Sequence, residues 1–120
     1  MSKRILIIED DPGILELLQL IFEDEGYLVD AFITGMSALN ITAHSPDIII
    51  LDIRIAGFDQ TGDEICAELK AILPPYTTPV LLLSAENNLA QLAQECKSDG
   101  YMAKPFNIAH LLEKVSGLAA

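Results

Sequence analysis

Five short apolar runs punctuate the chain: Arg4–Ile8, Leu28–Phe32, Asp47–Leu51, Pro79–Leu83 and Gly100–Ala103. In the third and fourth, IIIL and VLLL are apolar at every position instead of alternating. Strands covered on both faces read that way, as in a parallel sheet sandwiched by helices. Between the runs the spacing becomes helical. Ile14, Leu15, Leu17, Leu18, Ile21 and Phe22 form one broad stripe, and Gly26 follows as a stop signal. Met36 to Ile41 predicts a short helix behind Thr34 as N-cap. Ile65, Cys66, Leu69, Ile72 and Leu73 keep helical spacing until Pro74 and Pro75 end it. Leu89, Leu92, Ala93 and Cys96 predict a fourth helix, and Ile108, Leu111, Leu112 and Val115 a fifth, with Asn107 as N-cap.

Strand and helix thus alternate five times. Such alternation predicts a doubly wound α/β domain, a parallel sheet with right-handed crossovers and helices on both faces. In open sheets of this kind ligands bind beyond the carboxyl ends of the strands. The chemistry is therefore expected just after Ile8, Leu51, Leu83 and Ala103.

Composition narrows the class. The 120 residues suit one domain, spanning 1–120, with enough chain to bury a core without staples. Eighteen acids against seven bases leave a net charge of −11, which argues against nucleic acid or anionic lipid as a partner and favours cations or basic surfaces. No apolar run approaches a membrane span, and the start MSKRILIIEDDP is too short in apolar residues for a secretory signal. Cys66 and Cys96 form no CxxC and read as two reduced core thiols of a cytoplasmic protein.

The unusual residues stand at the expected strand ends. The first strand runs into Glu9, Asp10 and Asp11. Adjacent carboxylates repel, and a divalent cation such as Mg²⁺ would neutralise them. Acids before Pro12 could equally cap the following helix, the simpler reading for Asp11. The third strand ends in Asp52, which could be a polar terminator, a ligand for the same metal as Asp10, or a nucleophile that forms an acyl phosphate. The fourth ends in Ser84, whose hydroxyl could donate to a phosphoryl oxygen, and the fifth in Lys104, a cation opposite the acids. Pro105 after it is a candidate for a cis bond. Each signal alone is weak. Their placement on one edge of one sheet makes them a set.

The segments ILIIEDDP, PDIIILD, LLLSA and GYMAKPF, with TGMSAL in lesser support, resemble the receiver domain of two-component response regulators over Lys3 to about Leu118. The resemblance implies a flavodoxin-like five-stranded parallel sheet of order 2-1-3-4-5 with five helices. It implies Asp52 as phosphoacceptor from the phosphohistidine of a sensor histidine kinase or phosphotransfer protein. Asp10, Asp52 and the Arg54 carbonyl would ligate Mg²⁺, with Glu9 acting through its water shell. Ser84 and Lys104 would contact the phosphoryl group, and Ser84 with Tyr101 would form the switch. The signal would leave through the surface of the fourth helix, fifth strand and fifth helix, including Leu89, Gln91, Gln94 and Tyr101, to a downstream effector protein or an output domain outside this chain. Such a domain is a signalling module, not an enzyme beyond self-phosphorylation and auto-dephosphorylation.

Three features depart from the family pattern. Ala56 replaces a usual proline, the loop IAGFDQTGDE is about two residues longer than usual if GDEIC begins the third helix, and Arg54 lies where side chains influence water attack on the acyl phosphate. Rival readings are weaker. A phosphatase of the haloacid-dehalogenase type needs a second aspartate where Arg54 stands, and a flavin binder would not place EDDPG against a phosphate. A receiver-like interaction module that no longer phosphorylates is the main alternative.

Overall fold

The computed structural model describes residues 2–120. It contains β1 (Arg4–Ile8), α1 (Pro12–Asp24), β2 (Leu28–Phe32), α2 (Ala38–Ala43), β3 (Ile48–Leu51), α3 (Gly62–Lys70), β4 (Val80–Ser84), α4 (Leu89–Cys96), β5 (Gly100–Ala103) and α5 (Ile108–Ala119). The strands form one sheet in the order β2-β1-β3-β4-β5, every pairing parallel. The expected alternation and strand order are therefore present.

The sheet carries a core on each face because its central strands are apolar throughout. Leu6, Ile8, Ile49, Leu51, Val80 and Leu82 pack with α2, α3 and α4. Ile5, Ile7, Ile48, Ile50, Leu81 and Leu83 pack with α1 and α5 through Leu18, Phe22, Leu111 and Val115. Successive side chains of a strand alternate sides, so one unbroken apolar run feeds both cores.

Caps set most helix starts. Asp11 accepts the Ile14 N–H at 3.0 Å, and Asn107 accepts the His110 N–H at 3.0 Å. Pro12 opens α1 where its missing N–H costs nothing. Gly26, with φ +93°, provides the left-handed turn after α1. Lys104–Pro105 is cis, and so is Leu73–Pro74.

Four local expectations are corrected. The N-cap of α2 is Ser37, which accepts the Asn40 N–H at 3.2 Å, not Thr34. In the irregular segment before it, the Phe58 ring rests on Gly35, in space a Cβ there would need. Leu73, before Pro74, is pushed out of helical geometry, and helix α3 stops earlier still, at Lys70 with Ala71 as its C-cap. Leu89 belongs to the core, at 4% exposure, and does not line the outer face of α4. Gln91, Gln94 and Tyr101 do face outward. Asp47, expected within β3, precedes it and accepts the Arg4 N–H at 2.7 Å.

Candidate functional site

The sheet's hydrogen bonds continue one residue past the strand ends and carry the unusual residues with them. The Glu9 N–H donates to the Phe32 carbonyl at 3.1 Å, the Asp52 N–H to Ile8 at 2.9 Å, and the Lys104 N–H to Ser84 at 2.9 Å. Residues far apart in sequence are thereby aligned along one edge.

Their side chains meet there. Carboxylate oxygens of Glu9, Asp10 and Asp52 all lie within 4.8 Å of one another. Glu9 and Asp52 are buried, at 1% and 6% exposure. Lys104 reaches in from the end of β5, its Nζ 2.5 Å from Glu9 and 3.2 Å from Asp52. Asp11 caps α1 and is not one of the clustered carboxylates.

Burial is the main reason the Asp52 carboxyl is pushed up to about 7, with Glu9 adding to the rise and Lys104 opposing it. Burial works against the charge of Lys104, but Glu9 and Asp52 outweigh it and hold the ammonium above its usual range. One ammonium faces three carboxylates, so the pocket keeps an excess of negative charge. Hard oxygen donors this close, short of positive charge, fit Mg²⁺, which favours carboxylates and water.

The loop from β3 to α3 makes close contacts with the site. The backbone N–H of Ala56 donates to Asp10 Oδ2 at 3.1 Å, a bond proline could not make. Gly62 does open α3. Its Cα lies so close to the Asp52 carbonyl that a Cβ would approach the oxygen to 1.9 Å. The loop between β3 and α3 is held by Glu64, which accepts from the Thr61 N–H at 2.9 Å, and by Phe58 over Gly35. Beside Asp10 it leaves a groove of about 380 Å³ lined by Arg54, Ala56, Phe58 and Asp59.

Ser84 is buried at the end of β4, and its Oγ accepts the Glu86 N–H at 3.3 Å. The Arg54 side chain is exposed and donates from Nε to Glu86 Oε1 at 2.5 Å. Glu86 was not singled out from the sequence. The signal that could have found it is adjacency: Arg54 lies three positions past the end of β3 and Glu86 two past the end of β4, and these strands pair. Tyr101 is 44% exposed on the edge strand β5.

This arrangement can hold a divalent cation and offer a carboxylate to an electrophile beside it. The family model for the response regulator receiver domain matches residues 5–116. The chain belongs to the response regulator receiver family. A curated relative, sporulation initiation phosphotransferase F of Bacillus subtilis (strain 168), is 34% identical over 116 residues, covering 96% of this chain and 92% of the relative. Among solved structures, the response regulator TrrA of Thermotoga maritima, in complex with Mg²⁺-BeF, is 34% identical with a TM-score of 0.83, covering 98% of this chain and 99% of that one. The receiver domain of a histidine kinase from Syntrophus aciditrophicus is 30% identical with a TM-score of 0.85, over 98% of this chain and 90% of that one. The receiver domain is a signalling domain, and no described helix is long and apolar enough to cross a membrane.

Proposed function

We propose that this receiver domain is phosphorylated on Asp52 by the phosphohistidine of a sensor kinase or phosphotransfer protein. The observation that carries the reading is the convergence of Glu9, Asp10 and Asp52 within 4.8 Å, with the Lys104 ammonium 3.2 Å from Asp52. Asp10 and Asp52, with the Arg54 backbone carbonyl, would hold Mg²⁺, and Glu9 would act through its water shell. The ion, when bound, favours the ionised Asp52 and offsets charge on the transferring phosphoryl oxygens. The Asp52 carboxylate attacks phosphorus in line, and the phosphohistidine nitrogen departs with the bond's electron pair. Lys104 pairs with a phosphoryl oxygen, loosening its hold on Asp52 while Glu9 keeps it oriented. The acyl phosphate adds roughly −1.5 to −2 charge.

That charge is read by the neighbouring loop. Ser84 gives up its bond from the Glu86 N–H and turns its hydroxyl to the phosphoryl group. Tyr101 leaves its exposed position for the space vacated. The outcome is a population shift on the outer surface of α4, β5 and α5, which docks an effector or output domain.

The test is incubation with Mg²⁺ and acetyl phosphate followed by intact mass. One added phosphoryl group, acid-stable and base-labile, is expected on the parent protein and not on Asp52→Asn. No adduct at saturating Mg²⁺ would leave the interaction-only module as the function.

A further inference from the structure

Phosphorylation makes no use of the second cluster of reactive groups, which lies on the α2/α3/α4 side of the sheet. Cys66 of α3 and Cys96 of α4 are thirty positions apart in sequence. In the fold both belong to the same core cluster, at 0% and 5% exposure. The Cys66 thiol donates to the backbone carbonyl of Cys96 at 3.5 Å, and the Cys96 thiol to the Ala93 carbonyl at 3.7 Å. Each sulfur therefore sits at the seam between two packed helices, and both are free thiols.

The two are not equivalent. Cys96 is the last residue of α4, beside Lys97, which has φ +62° and ends the helix. It is the one with a small exposed fraction. Its contact with the Cys66 S–H is the main influence favouring its thiolate; burial opposes this, and the Ser98 N–H supports it. Cys66 is fully enclosed, and its contact with Cys96, together with burial, keeps it protonated. Two free thiols of adjacent helices in one core, the first touching the backbone carbonyl of the second, have the placement of a cysteine pair that oxidation can join.

We propose that Cys66 and Cys96 are an oxidisable dithiol, a modification site for peroxides that staples α4 to α3. The Cys96 thiolate attacks one peroxide oxygen, the O–O bond breaks, and hydroxide leaves, taking up a proton to give water. Cys96 is now a sulfenic acid. The Cys66 sulfur, losing its proton, attacks the Cys96 sulfur and expels its hydroxyl as a second water. In sum, two thiols and one hydrogen peroxide give one disulfide and two waters. A thiol reductant reverses the change by exchange.

The staple has a consequence for signalling that rests on the reading above. The α4 surface is where the acyl phosphate would be read out, and a bond from its last turn to α3 holds that turn in place. The disulfide itself requires no phosphorylation.

The experiment uses the purified, folded chain and hydrogen peroxide as the probe. After quenching, denaturation and alkylation, the oxidised protein should be lighter by two hydrogens and take up no alkyl group. Peptide mapping should show Cys66 joined to Cys96, and dithiothreitol should restore two alkylation sites. Amide exchange over residues 89–96 should slow at least several-fold in the oxidised form and return on reduction. Cys96→Ala should retain one alkylatable thiol and show no change in exchange. Oxygen addition without loss of two hydrogens would overturn the dithiol, as would two alkylation sites surviving peroxide. A disulfide that leaves exchange over 89–96 unaltered would overturn the staple. Acetyl phosphate labelling of the reduced protein, measured separately, reports on Asp52 and distinguishes failure there from failure here.

Discussion

Asp52 is buried beside another carboxylate, so its charge is opposed by both desolvation and Glu9. The folded protein consequently retains a proton there that the unfolded chain gives up near pH 3.8, and loses it only near 7. Asp52 thus contributes to stability fully below the unfolded value, and that contribution disappears as pH rises through 7. Asparagine has no charge to desolvate, and Lys104 keeps its pairing with Glu9. In chelator, Asp52→Asn should melt roughly 3–5 °C above the parent at pH 8. The difference should narrow as pH falls from 8 to 5 and vanish only below the unfolded value of 3.8, where Asp52 is protonated in both states. Thermal melts between pH 5 and 8 check this, and a gap independent of pH would mean that the ionisation of Asp52 is not its cause. Ala56 shows a different kind of residue effect. Its contribution comes from the backbone, whose N–H, which a proline there would lack, holds Asp10.

Elements were legible in the sequence where one periodicity dominated. IIIL and VLLL are apolar at every position, and both became central strands with cores on either side. The strand-end positions of Glu9, Asp10, Asp52, Ser84 and Lys104 followed from that reading, because parallel strands deliver their ends to one edge. What escaped depended on contacts between distant loops. Nothing local to Thr34 and Ser37 announces that Phe58 will rest on Gly35 or that Ser37 will cap α2. Leu89 belongs to the apolar stripe of α4, and the fold buries it with that stripe in the core instead of on the outer surface. The Arg54–Glu86 pair likewise depends on the register of two strands. The join of β3 to α3 is the most constrained of these junctions. A methyl group on residue 62 would collide with the backbone carbonyl of Asp52, and backbone cannot swing aside as a flexible side chain could. Gly62→Ala should therefore destabilise by about 2–3 kcal/mol, in the range of overpacked positions. It should also weaken Mg²⁺-dependent labelling of Asp52 by displacing the loop. Gly117→Ala is the control, since nothing lies within 4 Å of a Cβ there, and its stability should not fall. Urea unfolding of both variants decides it: equal midpoints would show that the close approach at Gly62 relaxes without cost.

At the scale of the whole molecule, a charge of −11 makes two separable demands on the solvent. Diffuse repulsion among surface acids is relieved by any salt, because screening depends on ionic strength and not on ion identity. The repulsion between Asp10 and Asp52 is local and partly buried, so bulk salt reaches it poorly. Sodium chloride should raise the melting midpoint modestly and smoothly. Millimolar Mg²⁺ at matched ionic strength should raise it further and saturate, since an ion that binds only the folded state stabilises by mass action, about 1.4 kcal/mol at ten times its dissociation constant. Asp10→Asn separates the two contributions. It removes one carboxylate of the pair while keeping the shape that accepts the Ala56 N–H. The variant should keep the sodium chloride response and lose most of the Mg²⁺ increment. If Mg²⁺ and sodium chloride act alike on the parent protein, the acidic edge is an ordinary charged surface, and the ion would have no place in bringing Asp52 to its ionised form.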